Sequence, residues 1–351
     1  MSKDKIRVLP LPKLWEFDLG DHVVKLKWSA NGMALAAASI SGPISVRRAS
    51  DGSSLAESEG HFPGTLCMDW HPGSAIVASG GQDGQVAVWE ISTGEIKKAK
   101  PAKGWVESVR WNHDGTLLAA ASGKKVFLFN QNLELQRELP EHKSTVTDII
   151  WHPSKNELAT TSYGGPSLWS ADNGEKTGQF EWAGASLNLA WSPDGKYIAT
   201  ADQTATVHFW NLDKKTDLQM SGYEGKVKAL SWNHQSRYLA TGGGISAVVW
   251  DCSGPKGPEG STPIILDAHL KPVTALAYQH NSGLLVSGSL DSHFYVWWPD
   301  RSPDPLLHRK LAAGATQAAW SPDDQTIALG SESGEVMLVR LPTEAELAKG
   351  K

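Results

Sequence analysis

Residues 70–89 read WHPGSAIVASGGQDGQVAVW. An aromatic residue opens the stretch, His-Pro-Gly-Ser turns it, and AIVAS (75–79) follows. A second turn, GGQDG (80–84), leads into QVAVW (85–89). With TLCMDW (65–70) ahead of it, the segment reads as three short strands of alternating or fully buried pattern, separated by Gly, Asp and Pro turns. A fourth, polar run, GEIKKAK (94–100), suits an outer strand, where lysine discourages edge-to-edge pairing. The phrase returns as WSPDGKYIATADQTATVHFWN at 191–211 and as YQHNSGLLVSGSLDSHFYVW at 278–297.

Its recurrence has a period. Aromatic anchors fall at Trp28, Trp70, Trp111, Trp151, Trp191, Trp232, Tyr278 and Trp320, in steps of 42, 41, 40, 40, 41, 46 and 42. One supersecondary unit is therefore used eight times, which overrides the two or three domains that 351 residues would otherwise suggest. Four antiparallel strands at a period near 40 predict an all-β fold, a single closed β-propeller over 1–342. The segment 343–351 is expected to be a flexible tail. Unit 8 ends in GEVMLVRLP (334–342) without a clear fourth strand, while KLWEFDLG (13–20) is a spare strand at the other end. The N-terminal strand is expected to complete the last blade and close the ring, giving eight four-stranded blades. Seven is the alternative count, because units 1 and 8 are the most degenerate.

Over about 14–341 the units resemble the WD-repeat family. The residues that carry the likeness are Trp250-Asp251, the closing Trp89, Trp169, Trp210, Trp250 and Trp297, and the opening Gly60-His61. The resemblance implies a non-enzymatic interaction scaffold. It also gives a role to a recurring polar set: His61, Ser79, Asp83 and Trp89 in unit 2, and His269, Ser287, Asp291 and Trp297 at the same offsets in unit 7. A Ser-His-Asp set invites a hydrolase reading, but a catalytic set is not normally present twice at matched offsets. In WD repeats the quartet is structural: Asp binds His, His binds Ser, and Ser binds the Trp indole. Such a chain satisfies buried polar groups and fixes one strand against the next. Trp182 of unit 5 and Tyr223 of unit 6 occupy the His position, where they are expected to pack.

Composition narrows the function further. The net charge is −5 with 20 % charged residues, so nothing draws the chain toward nucleic acid or an anionic membrane. Two distant cysteines, Cys67 and Cys252, argue against a disulfide framework and for a reducing compartment. The start, MSKDKIRVLP, lacks an apolar core, and no apolar run reaches 18 residues. A soluble, cytoplasmic and monomeric protein without cofactor or metal is expected. Gly242, Gly244 and Ala247 imitate a dinucleotide fingerprint, but the strand AVVW follows where that fingerprint needs a helix. His71, His113, His152, His234 and His280 recur in the turn after successive anchors, spread around one rim rather than gathered about one ion.

The WD-repeat likeness also implies which positions look onto the docking face, at six and eight residues before each anchor and in the turn between the second and third strands. One arc carries unusual residues there: Phe62, Lys103, Trp105, Lys143 and Tyr163, from units 2 to 4. Exposed aromatics beside cations are hot-spot chemistry and suit a peptide with apolar side chains and a carboxylate. In the innermost ring the ionisable residues are His22 and Lys226. The expectation is a protein or peptide partner held on this face. The alternative is a small-molecule, metal or catalytic site in the central channel.

Overall fold

A computed structural model describes residues 8–343 and Glu346. Apart from Thr343 and Glu346, the segment read as a flexible tail lies outside the described residues. Eight sheets form eight blades in a ring, and the alternative of seven is set aside. Blades are numbered here by their anchors, and strands a to d run from the channel outward. In blade 2 these are Thr65–Trp70, Ile76–Gly81, Val86–Glu90 and Ile96–Ala99.

The ring closes as the spare strand implied. Lys13–Asp18 pairs antiparallel with Glu335–Arg340 and supplies the outer strand of blade 8. A second closure was not legible in the sequence. Leu9–Pro10 pairs parallel with Ser302–Lys310, the outer strand of blade 7, placing Leu9 opposite Leu307 and making that blade five-stranded. The chain start thus ties together the outer edges of blades 7 and 8, with Leu11 fully buried between them. An edge strand paired in this way offers fewer free backbone groups to another chain.

Blades pack face to face through second strands that are rich in small residues and almost wholly buried. Ala34–Ser39 (ALAAAS) is buried throughout, and its Ala36 and Ala38 sit against Met68 and Trp70 of blade 2. The anchors staple the interfaces. The indole N–H groups of Trp28, Trp151, Trp232 and Trp320 donate to Ala319, Arg110, Ala190 and Ala277 carbonyls of the preceding blade, at 3.1, 2.9, 3.2 and 2.9 Å. Trp70 and Trp191 turn the bond onto their own a–b turns instead, at Ser74 and Gly195. In the latter turn Gly195 has φ +74°, and a Cβ there would collide with the His152 ring of blade 4. Only glycine meets both demands.

Strand a carries a β-bulge in blades 1, 2, 3, 5, 7 and 8, where pairing slips by one residue, as between Val23 and Lys25 or between Ser186 and Asn188. A bulge re-aims side chains next to it.

Candidate interaction face

The polar quartets are interior struts. In blade 7, His269 Nδ1 lies 3.3 Å from Asp291 Oδ2, and its Nε2 lies 2.8 Å from Ser287 Oγ. Trp297 Nε1–H donates to the same Ser287 Oγ at 2.8 Å. In blade 2, His61 lies 3.0 Å from Asp83 and 2.9 Å from Ser79, but no bond joins Trp89 to Ser79 among the described residues. Both histidines are buried, and burial, opposed by the facing aspartate, lowers their pKa. Neutral rings buried under the sheets cannot reach a substrate, so the hydrolase reading has no access route.

The other blades improvise on this strut. In blade 4, Thr160 Oγ1 takes the serine role, 2.9 Å from His142 Nε2 and 2.9 Å from Trp169 Nε1. Tyr223 does more than pack: its hydroxyl lies 2.9 Å from Thr241 Oγ1 and accepts the Trp250 indole at 3.1 Å. Trp182 packs on His208, which has moved to strand c and binds Asp202 at 2.7 Å. The turn histidines tie neighbouring blades: His71 to Gly115 O at 3.0 Å, His234 to Ser282 O at 3.0 Å, and His280 to Asp324 at 2.8 Å. Among the described residues no three His, Cys, Asp or Glu gather as a metal site.

The entrances to strand a and the b–c turns share one face of the ring. In blades 1, 2, 5, 7 and 8 the b–c turn donates an N–H to the carbonyl six before the anchor: Ile40 to His22, Gln82 to Gly64, Gln203 to Ala185, Leu290 to Pro272 and Glu332 to Gly314, at 2.8 to 3.1 Å. Blades 3, 4 and 6 break the rule. Their turns reach the next blade instead, through Gly123 O with Val146 N, Gly164 N with Gly184 O, and Gly244 O with Val273 N. Trp105 and Tyr163 stand on two of these three irregular blades.

Every residue of the arc is exposed, as is Lys226 of the innermost ring, and His22 is half-buried. Phe62 is 87 % exposed, and Trp105 and Tyr163 are each 54 % exposed. Phe62 and Trp105 precede strand a of blades 2 and 3. Tyr163 follows strand b of blade 4, its N–H fixed to Ser144 Oγ at 2.8 Å. Lys103 and Lys143 have no carboxylate within ion-pair distance among the described residues. The structure adds Leu270, 84 % exposed on the same face in blade 7, at the register Phe62 occupies in blade 2. That shared register, eight before the anchor, was the signal available in the sequence. Met33, 70 % exposed, lies in an a–b turn and so on the opposite face, beside a cavity of about 630 Å³ lined by Arg48, Leu55, Trp70 and Ile91.

The channel departs from the sequence reading. His22 and Lys226 precede strand a at its mouth, while the a strands themselves carry a belt of charge. Lys27 Nζ meets Asp69 at 2.8 Å, and Asp69 also accepts the Trp111 N–H at 2.9 Å. Arg110 meets Asp148 at 3.4 Å, and Ser108 Oγ donates to the same carboxylate at 3.0 Å. These residues come from strands rather than loops, so positions counted outward from the loops pass over them.

The chain was compared with known proteins. The family model described as WD domain, G-beta repeat matches residues 52–90, 215–251 and 260–297, and that of eukaryotic translation initiation factor eIF2A matches 84–211. THO complex subunit 3 of Arabidopsis thaliana is 28 % identical over 202 residues, covering 55 % of this chain and 62 % of the relative. Pre-mRNA-processing factor 19 of Oryza sativa subsp. japonica is 24 % identical over 248 residues, covering 66 % of this chain and 46 % of that one. Telomerase protein component 1 of Rattus norvegicus is 21 % identical over 293 residues, which is 81 % of this chain and 10 % of the relative. The matches thus span less than two thirds of the length of each of these curated relatives. Among solved structures, the computationally designed Ika8 protein superposes with a TM-score of 0.80 at 18 % identity, covering 94 % of this chain and 100 % of that one. That likeness concerns the fold.

Proposed function

The chain is an eight-bladed WD-repeat β-propeller, and from that premise we propose that it is a non-enzymatic scaffold whose strand-a entrance face holds a protein or peptide partner at Trp105. One observation carries the reading. Trp105 presents an indole 54 % exposed at a position where sibling units hold His, Gly, Thr, Ala, Lys or Pro. No bond or packing rule of the repeat requires an aromatic there. Phe62 and Tyr163 on the flanking blades extend the apolar surface, and Lys103 and Lys143, which meet no carboxylate among the described residues, add positive charge beside it. An extended segment with apolar side chains and an acidic group complements such a surface, because aromatic anchors supply most of the binding energy while flanking charges steer encounter. THO complex subunit 3 is by its name part of a complex, which agrees with a scaffold role. Nucleic acid and membrane stay outside the proposal, given the net charge of −5.

The test is selection of peptides from a displayed random library on the immobilised protein, followed by affinity measurement against Trp105→Ala and Leu270→Ala. The proposal expects acidic-apolar peptides that lose at least about tenfold in affinity, or about 1.4 kcal/mol, with Trp105→Ala and little with Leu270→Ala. Peptides that bind Trp105→Ala as well as the unaltered protein would contradict it.

A further inference from the structure

We propose that the waist of the central channel is a binding site for a phosphate group, held by Lys25 and Lys228 with Thr316 and Asn188. The site is a cavity of about 220 Å³ on the ring axis, walled by the inner strands. Four charged residues line it: Lys25, Arg110, Asp148 and Lys228. Arg110 and Asp148 pair with each other, and Ser108 Oγ and the Ile149 N–H donate to the same oxygen, Asp148 Oδ1. Nearby, Lys27 and Asp69 form a closed pair. Three cations, Lys25, Arg110 and Lys228, thus stand in the lining against the one carboxylate of Asp148, and neither Lys25 nor Lys228 has a carboxylate within ion-pair distance among the described residues.

The neutral groups complete the pattern. Thr316 Oγ1 and Asn188 Oδ1 are both buried without a hydrogen-bond partner, and both residues line this cavity. The Asn188 amide is oriented by its own Nδ2, which donates to Lys228 O at 3.0 Å, so Oδ1 is the atom left free. Buried polar groups without partners are uncommon in folded proteins and call for an explanation. An occupant must therefore bring negative charge for the lysines, an acceptor for the Thr316 hydroxyl and a donor for Asn188 Oδ1. A hydrogen phosphate carries all three, as does a phosphomonoester in its monoanionic form. Sulfate and chloride lack the donor. Burial, with repulsion from Arg110 and Lys27 opposed by Asp148 and Asp69, pulls the Lys25 ammonium down to about 7, and an anion bound beside it would favour its charged form.

Calorimetric titration with inorganic phosphate at constant ionic strength tests the site, backed by ³¹P line broadening. Thermal stabilisation alone does not serve, because phosphate is excluded from protein surfaces in general. The expected result is saturable binding, at least about tenfold weaker in Lys25→Met and several-fold weaker in Thr316→Val. Sulfate should bind more weakly than phosphate. Phosphoserine as a second probe separates a free ion from a phosphomonoester: tighter binding than phosphate assigns the site to an esterified group, and weaker binding assigns it to the ion. Absence of saturable phosphate binding, equal binding by Lys25→Met, or sulfate binding as tight as phosphate would each overturn the proposal. Lys25→Met removes a buried charge and keeps the side-chain bulk, and Thr316→Val is isosteric, so folding is retained. Trp105 plays no part in this site, so the two proposals fail independently.

Discussion

Blades 7 and 3 are built from the same strand plan and put their polar residues to opposite uses. Blade 7 carries the whole quartet, His269, Ser287, Asp291 and Trp297, and Trp297 is fully buried at its centre. Blade 3 has Ala102, Ala120 and Lys124 at the corresponding offsets and closes on Phe129. No strut of this kind braces its interior among the described residues, and Phe127 and Phe129 pack against Val109, Leu118 and Ala120 instead. Freed from the strut, blade 3 sends its distinctive side chains outward: Trp105 and Lys103 to the face, Arg110 to the channel. A repeated polar motif therefore marks where the scaffold is braced, and an unrepeated residue marks where it is available for something else.

The largest effect should come from the seam that both blades depend on. Removing residues 1–20 deletes the outer strand of blade 8 and the Leu9–Pro10 strand on blade 7. The ring should open, with loss of a cooperative denaturant transition; an unchanged midpoint would show that closure lies elsewhere. Next comes the contrast itself. Trp297→Ala should cost about 3–5 kcal/mol through the cavity it leaves. Trp105→Ala should stay within about 0.5 kcal/mol, as surface substitutions do. Equal costs in urea unfolding would place Trp105 in the core and erase the distinction.

A smaller effect is expected in the quartet. Ser287→Ala strands both the Trp297 indole and the His269 ring, at about 1–3 kcal/mol. Ala120→Ser in blade 3 installs a hydroxyl with no strut to join and should cost an amount of the same order. A neutral Ser287→Ala would mean that blade 7 too is held by packing.

The channel adds a pH signature. Lys25 titrates near 7 when folded, against 10.5 ordinarily, so between these values the unfolded chain holds a proton that the folded chain lacks. Stability should therefore rise with pH across that window, by at most about 1.4 kcal/mol per unit from this group. Lys25→Met should remove that slope and raise stability below pH 7, as read from urea midpoints at several pH values. His142, pulled to about 4 chiefly by burial, has the same sign in the acid range. Its contribution is present above pH 6.5 and is lost as pH falls toward 4.

Period, blade count and ring closure were legible because they rest on spacing. A Trp every 40 or so residues and an unpaired strand at each end leave little freedom. The quartets were legible for the same reason, since two copies at one offset identify each other. What escaped depends on local backbone geometry. The parallel pairing of Leu9 with Leu307 involves only two residue pairs, too few for a pattern. The charge belt is made of residues within strand a, between the loop positions and the anchors, and its pairs join neighbouring blades, which spacing within one unit does not reveal. Tyr223 was read as a filler, yet its hydroxyl takes over a histidine's bonds, a role that its ring size alone does not announce.

The central claim is that binding resides where a unit departs from the shared frame. The most direct measurement is the affinity of one library-selected peptide for the unaltered protein, for Trp105→Ala and for Leu270→Ala, each checked for an unchanged melting temperature. The account predicts at least about a tenfold loss for Trp105→Ala alone. Equal affinity for all three proteins, at equal stability, would contradict it.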